Sequence, residues 1–381
     1  LQDKDANCFA FGKVEKQLKA DPTIRMIHTR HPRYHAEVGC YLKRAEGSVY
    51  KALARLWRQD KVVFKGMNAK DQARHMRKLW LATHNPVAVG LDASRFDQHV
   101  SKLALEWLEH PRYLKMFGPS HRQWLKELLD KQLVNKCTAH TQEGIFKYKV
   151  EGCRMSGDMN TSLGNCLIMC CLLHAYAAER GVTCRLANNG DDCVVIMSKG
   201  DLARFSAGLH GWFETMGFDM KVEDAVYDFE QIEFCQTHPV FLADGWRMVR
   251  NFPNCLVKDS ISTVPHNEKG MRKWMAGVGE AGLALACGVP CLQAFYTALR
   301  RQGTPGKERV QGGLAWLSKG LRNRELPITE EARFSFYLAF GVSPDAQKCY
   351  ENMAAQWEYD HTNRPFDVGQ FPLEFIEPDK L

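Results

Sequence analysis

The sequence predicts an α+β protein, with strands gathered in its middle and helices in its last third. Three observations predict it. Residues 86 to about 250 carry short apolar runs closed by Gly, Asn and Asp turn signals, and the chain beyond Asn251 reads mostly as helix. No internal repeat, low-complexity tract or long Pro/Gly/Ser linker separates the two, so the parts belong to one compact body.

The elements follow in order. Residues 1 to about 85 are basic and mixed, with Arg and Lys crowding 25–58 and 65–78. Val87-Ala-Val-Gly-Leu91 is a short apolar run that ends on Asp92, and Phe96, Val100, Leu103 and Trp107 then suit one helix face. Thr161 to Ala178 is apolar nearly all round, as in a helix buried by its neighbours. Leu186 to Met197 reads as a hairpin whose turn chemistry comes from Asn188-Asn189-Gly190. Phe205, Leu209, Trp212, Phe213 and Met216 form a helical stripe, with Asp201 as N-cap and Gly217 as stop. Ile232 to Val249, broken at Asp244-Gly245, is a second hairpin. Helices are expected near 267–284, 290–301, 329–341 and 345–357, and the Pro-punctuated tail from Asn363 is irregular.

Bulk properties narrow the class. The 381 residues, 45% hydrophobic, support a substantial core and exclude a disordered chain. A formal net charge of +7 favours a polyanionic partner such as nucleic acid. Fourteen cysteines without a CxxC pair or a secretory signal read as the reduced thiols of a cytosolic compartment. Cys166/Cys170 and Cys287/Cys291 lie in apolar stretches without a matching second pair, which suits small hydrophobes better than zinc ligands. The longest strongly apolar run, Cys166 to Leu173, is too short for a bilayer, so membrane attachment would come from elsewhere. The chain starts at Leu1, without Met, in sequence that already looks structured; an N-terminal region is expected to have been removed.

Three strings carry chemistry. Gly190-Asp191-Asp192 sets two like charges at a turn, and Asp92 ends an apolar strand 99 residues before Asp191. If those strand ends are neighbours, Asp92 and Asp191 can bind two Mg2+ ions that also take substrate phosphates, the arrangement of nucleotidyl transfer. Asp97, five residues past Asp92, would stand beside a bound nucleotide. Gly157, Thr161 and Asn165 fall at i, i+4 and i+8 on one face where a glycine-led loop enters a helix. A ribose hydroxyl held between Asp97, Thr161 and Asn165 would satisfy those polar groups.

Asp92-Ala-Ser-Arg-Phe-Asp97, Ser156-Gly157 with Thr161 and Asn165, and Gly190-Asp191-Asp192 resemble motifs A, B and C of viral RNA-dependent RNA polymerases, in order and at sensible spacing. The fuller string Gly152-Cys-Arg-Met-Ser-Gly-Asp-Met-Asn-Thr-Ser162 most resembles plus-strand RNA plant viruses of the tombusvirus family. The resemblance implies a right-hand polymerase fold: fingers from 1–85, a palm of antiparallel sheet and helices over 86–250 with a fingers segment interleaved at about 106–150, and a helical thumb with tail over 251–381. It makes Asp92 and Asp191 metal ligands, with Asp192 an accessory acid, for two Mg2+ ions that Mn2+ could replace. Asp97 and Asn165 become readers of the ribose 2′-OH, helped by Ser156, Gly157 and Thr161. Lys221 stands where motif D offers a general acid to pyrophosphate, and Phe234-Cys235-Gln236 falls in motif E.

The basic segment from Lys13 to Tyr34 resembles motif F, departing from it at Ile24 and Thr29, and its Lys16, Arg25 and Arg30 would line the nucleotide channel. In the last third, Leu299–Arg309 could follow an RNA backbone or be a solvated loop, while Trp274, Trp316 and Trp357 read as core.

The activity implied is template-directed RNA synthesis from NTPs in replication of a viral genome. Implied partners are RNA template and product, NTPs, a viral auxiliary protein, and host membranes through the missing N-terminal region, in membrane-associated replication complexes of the host cytoplasm. Two alternatives remain at this level. One is a reverse transcriptase or other palm polymerase, against which the 2′-OH readers argue. The other is an inactive RNA-binding replication scaffold, against which the complete set of carboxylates argues.

Overall fold

The computed structural model describes residues 1–16, 23–305, 318–321 and 326–360, an α+β arrangement of helices with three small sheets. They fall into two compact units. The first comprises Leu1–Val14, Thr23–Phe64 and Thr83–Ala225; the second comprises Glu15–Pro22, Lys65–Ala82 and Val226–Leu381, so far as these are described. The cuts therefore differ from the boundaries near 85 and 250 drawn from the sequence. The helix Ala69–Leu81 joins the second unit because it packs there: Lys70 Nζ donates to Asp244 Oδ2 at 2.6 Å, and the Arg77 guanidinium lies 4.9 Å from the Phe229 and Trp246 rings.

The first unit holds two four-stranded sheets. One is built from β1 (Cys8–Gly12), β2 (Met26–Thr29), β4 (Val134–Thr141) and β5 (Gly144–Glu151), ordered β2-β1-β4-β5 with only β1 and β4 parallel. The other is antiparallel throughout, from β3 (Pro86–Ala93), β6 (Cys184–Asn189), β7 (Asp192–Ser198) and β8 (Met220–Val222), ordered β6-β7-β3-β8. Its central strands bury Val87, Val89 and Leu91 and the whole run Cys193–Met197. Such unbroken apolar runs belong to strands covered on both faces. Residues 134–151 thus return to pair with the N-terminal strands.

The helix Thr161–Glu179 is the axis of this unit. It is long and apolar enough, by length and composition, to cross a membrane, yet Leu163, Cys166, Leu167, Met169, Cys170, Leu173 and Tyr176 are packed inside the first unit's core. Beside it, Pro32–Leu56 buries Tyr34, Val38, Leu42, Ala45, Val49 and Leu53, a stripe at spacings of three and four.

Two helices differ from expectation. The helix after Asp92 lasts only from Phe96 to His99, Val100 turns extended, and the chain resumes as a π-helix over Ala104–Glu109. The wider turn brings Leu105 and Glu109 inside and leaves Leu103 and Trp107, at 62% and 76% exposure, facing water. The stripe from Phe205 to Met216 is split into Leu202–Ser206 and Leu209–Thr215, because Gly208 takes φ +72° and interrupts the helical hydrogen bonding. Asp201 does occupy the N-cap position, though its side chain makes no capping bond.

In the second unit a hairpin of β9 (Thr237–Leu242) and β10 (Gly245–Arg250) carries helices Phe252–Ser260, Glu268–Ala286, Leu292–Arg300, Glu330–Phe340 and Pro344–Gln356. Asn251, Asn267, Thr329 and Ser343 each accept the backbone N–H three residues on, which fixes where four of these helices begin, and Asn68 does the same for Ala69–Leu81. Phe234-Cys235-Gln236 forms the turn into β9, with Cys235 and Gln236 at positive φ. Trp274 and Trp357 pack partly buried on the apolar core. Trp316, residues 306–309 and the tail from Asn363 lie outside the described residues.

Candidate active site

β6 and β7 are joined by a two-residue loop, Gly190-Asp191, between the paired Asn189 and Asp192. Gly190 has φ +97°, as the first loop residue of a II′-like hairpin requires. The residue that shapes the turn is Asn188, fully buried: its Nδ2 donates to Gly190 O at 2.7 Å and its Oδ1 accepts from Gly190 N at 3.2 Å. Its backbone is clasped by Val62–Phe64, with Asn188 N donating to Val62 O and Phe64 N donating to Asn188 O, both at 2.9 Å.

β3 runs beside β7 with Leu91 opposite Cys193, which carries Asp92 alongside that turn. Two influences hold the Asp92 carboxyl above its usual 3.8, the surrounding protein first and the Asp191 charge second, while Lys221 pulls it down. Lys221, on β8, is the register partner of Asp92, so the two side chains share one face. Both are exposed, and Asp191 and Asp192 are half-buried. Gly90 lies two residues before Asp92 on that face. A Cβ there would come within 1.9 Å of Glu223 Oε2, so the glycine leaves space that a further carboxylate occupies.

Among the described residues, no group of three or more His, Cys, Asp or Glu side chains forms a metal cage. The repelling pair Asp92 and Asp191 fits a cation of another kind, one that takes one or two carboxylates and completes its shell with water and substrate phosphates, as Mg2+ does.

A second cluster lies on the helix Thr161–Glu179 and the loop before it. Asn165 Nδ2 donates to Asp97 Oδ1 at 2.8 Å, and Asn165 Oδ1 accepts from Arg154 Nε at 3.2 Å. Arg154 forks onto Glu109: Nη1 donates to Oε1 at 3.0 Å and Nη2 donates to Oε2, with both side chains out of water. Asn160 Nδ2 donates to Glu109 Oε1 at 2.8 Å, and Gln132 Nε2 donates to Asn160 Oδ1 at 2.9 Å. Gly164 makes room for this pair, since a Cβ there would lie 2.2 Å from Arg154 Nη2 and 2.5 Å from Glu109 Oε2. Burial raises the Asp97 carboxyl, and the Asn165 hydrogen bond, Arg154 and Arg25 oppose that rise.

The glycine-led loop is itself docked. Gly157 N donates to His28 O at 2.9 Å, His28 N donates to Ser156 Oγ and Ser156 Oγ donates to Met26 O, both at 3.3 Å, so the loop covers the free edge of β2. A Cβ on Gly157 would stand 2.5 Å from His28 O. Gly157 therefore precedes the helix and serves close approach, while Thr161 opens the helix and donates from Oγ1 to Met155 O at 3.0 Å.

The three predicted cations part company. Arg25 is exposed, and its charge acts on Asp97. Arg30 departs from the expected channel cation: only 3% exposed, it pairs with Asp158 (Nε to Oδ1, 2.5 Å) and donates to Ala6 O and Asn135 Oδ1, also at 2.5 Å. It anchors the glycine-led loop to the sheet, a use the local basic run concealed. Lys16 belongs to the second unit, where Nζ donates to Lys258 O and lies 5.5 Å from the Trp274 ring.

A family model described as "Viral RNA dependent RNA polymerase" matches residues 1–362. The chain belongs to that family. It is 43% identical over 360 residues to the RNA-directed RNA polymerase of Tobacco necrosis virus (strain A), covering 92% of this chain and 49% of that protein. The corresponding figures are 43% over 367 residues (91% and 48%) for Oat chlorotic stunt virus and 41% over 376 residues (94% and 48%) for Turnip crinkle virus. The resemblance to tombusvirus polymerases read from the motifs is thus met, and the chain spans about half the length of the curated relatives it matches.

Within this polymerase-family chain, sequence reasoning missed Glu109, Gln132 and Glu223. Arg154, Asp158 and Asn160 stood in the quoted motif B string without a role. A signal was read for Asn188, an Asx residue two before a turn glycine, and its bonds to Gly190 bear it out. None existed for Glu109, whose inward aim depends on the π-helical turn.

Proposed function

We propose that this chain catalyses template-directed RNA synthesis from NTPs in the replication of a viral RNA genome. The observation that carries the reading is the meeting of Asp92 with Asp191 on one side and Lys221 on the other, in a chain whose family is that of viral RNA polymerases. The first unit would supply fingers and palm of a right-hand fold, and the second unit the thumb.

Two divalent cations, Mg2+ or in its place Mn2+, held by Asp92 and Asp191 with Asp192 beside them, would activate a 3′-hydroxyl and stabilise the departing pyrophosphate in an in-line displacement. The residues of the chain do the rest. Asp97 accepts from the ribose 2′-OH through the carboxylate oxygen that Asn165 leaves free, and the Arg154–Glu109 pair fixes the Asn165 amide so that it cannot turn away. Ser156 and Thr161 shape the loop around that hydroxyl. Lys221 Nζ, on the Asp92 face, gives a proton to the leaving pyrophosphate oxygen. Arg25 offers a bidentate cation to the triphosphate.

The test is primer-independent incorporation of NTPs on a defined RNA, with Mg2+ and with EDTA, by parent and Asp191→Ala. Synthesis by the parent that EDTA and the substitution both abolish, with RNA affinity nearly intact, supports the reading. Equal synthesis by the two proteins would sink it.

A further inference from the structure

The sheet β2-β1-β4-β5 has two unlike faces. One buries Cys8, Ala10, Cys137 and Ala139, and Cys8 and Cys137 pack against Met155 in the segment that leads from β5 to the Ser156–Asp158 loop. The other is open. On it the register sets Phe9 beside Thr29 and Thr138, Thr138 beside Lys147, and Lys136 beside Lys149. Phe9 and Phe11 are 45% and 42% exposed, with ring centroids 6.1 Å apart, and the His140 ring lies tilted with its centroid 5.5 Å from that of Phe9.

This face costs stability as built. Lys136 and Lys149 stand directly opposite each other, a like-charge pairing that weakens a sheet, and Lys147 is their diagonal neighbour. All three are exposed, and none makes an ion pair among the described residues. Glu151 is the acid on the same face, at the end of β5. Two adjacent exposed phenylalanines add an apolar surface that water does not favour. A polyanion carrying flat rings relieves both strains at once.

We propose that this outer face is a second RNA-binding surface of the chain, in which Phe9 and Phe11 stack on bases of single-stranded RNA and Lys136, Lys147 and Lys149 meet its phosphates. Four-stranded sheets with exposed aromatics bind single strands in this way, because residues two apart on a strand are separated by about 6.7 Å and each ring takes one base. The surface lies on the side of the sheet opposite the Met155 segment that leads to the ribose cluster, so it is distinct from the nucleotide site. RNA as the polyanion rests on the proposed synthesis.

The experiment measures binding of a labelled single-stranded RNA of mixed sequence by fluorescence anisotropy across a salt series, together with RNA synthesis, for the whole chain. Phe9→Ala with Phe11→Ala is expected to weaken binding about tenfold or more and to raise the template KM with kcat unchanged. Lys136→Ala, Lys147→Ala and Lys149→Ala together should make the log–log salt dependence shallower by about 2, near 0.7 for each phosphate no longer neutralised. Circular dichroism checks that these exposed substitutions leave the fold intact. RNA affinity and salt slope equal to the parent's overturn the proposal, as does unchanged affinity accompanied by a shift in oligomeric state. Should the parent bind RNA through this face yet synthesise none, the second RNA-binding surface stands and the proposed activity falls.

Discussion

The two carboxylates contributed by the segment around β3 are treated in opposite ways. Asp92 is exposed, faces the Asp191 charge, and is held above its usual pKa partly by that repulsion. Asp97, five residues on, is half-buried and already bonded to Asn165, with Arg154 and Glu109 locked behind it. On the proposed reading, the region that would perform chemistry brings like charges together, as a site for cations that arrive with substrate would. The region that would select the sugar is held by hydrogen bonds within the protein, so that its geometry would exist before any ligand does.

That contrast can be broken at its sharpest point. Asp191→Asn keeps the shape of the turn and removes the charge that opposes Asp92, and RNA synthesis in a single-turnover assay should fall by roughly three orders of magnitude, with thermal stability unchanged or raised. The converse is expected behind the ribose cluster. Glu109→Ala leaves the Arg154 guanidinium buried without its partner and should cost about 3–5 kcal/mol in urea unfolding, whereas replacing both residues by apolar ones of similar volume should recover much of that loss.

Lys221→Met tests whether the exposed face carries the leaving-group proton, through an expected fall in kcat of about a hundredfold with little change in NTP KM. Asn165→Ala should lower discrimination between NTPs and dNTPs by about tenfold or more, measured as the ratio of kcat/KM values, because the site would no longer hold Asp97 toward the 2′-OH. The smallest effect concerns pH. Asp92 must lose its proton to accept a cation, and its raised pKa places the acid limb of the rate profile above the ordinary aspartate value. Lys221→Met removes the influence that lowers that pKa, so the limb should move to higher pH. In stability the sign is reversed: the folded carboxyl holds its proton more tightly than the unfolded one, so Asp92 favours the fold at low pH and loses that contribution as pH rises through the folded value.

Much of this was legible from the chain alone. β3 and β7 announced themselves as unbroken apolar runs and the β6–β7 hairpin by its turn glycine, and the helices expected near 267–284, 290–301, 329–341 and 345–357 are present as Glu268–Ala286, Leu292–Arg300, Glu330–Phe340 and Pro344–Gln356. Motif order and spacing carried the resemblance that the family match bears out, and with it the grouping of Asp92, Asp97, Asn165 and Asp191 on which the proposed function draws. The misread elements were those decided by remote packing. Leu103 and Trp107 fitted a helical face until the π-helix rotated them outward, and the stripe from Phe205 to Met216 was continuous in sequence but broken at Gly208.

What the sequence by itself determined was the inventory: which acids end strands, which segments must be buried, and which family the motifs belong to. Such signals are local, written in periods of two and 3.6 residues and in turn chemistry. Tertiary structure alone decided how the charges are used. Arg30 stands in a basic run that reads as a solvated, phosphate-facing strip, yet its partner Asp158 is 128 residues away and draws it inside. Arg154 finds Glu109 across 45 residues only because a π-turn aims the acid inward and Gly164 has no side chain to block it. A buried charge must be neutralised where it is buried, and the neighbour that does so is set by packing, which no local pattern records.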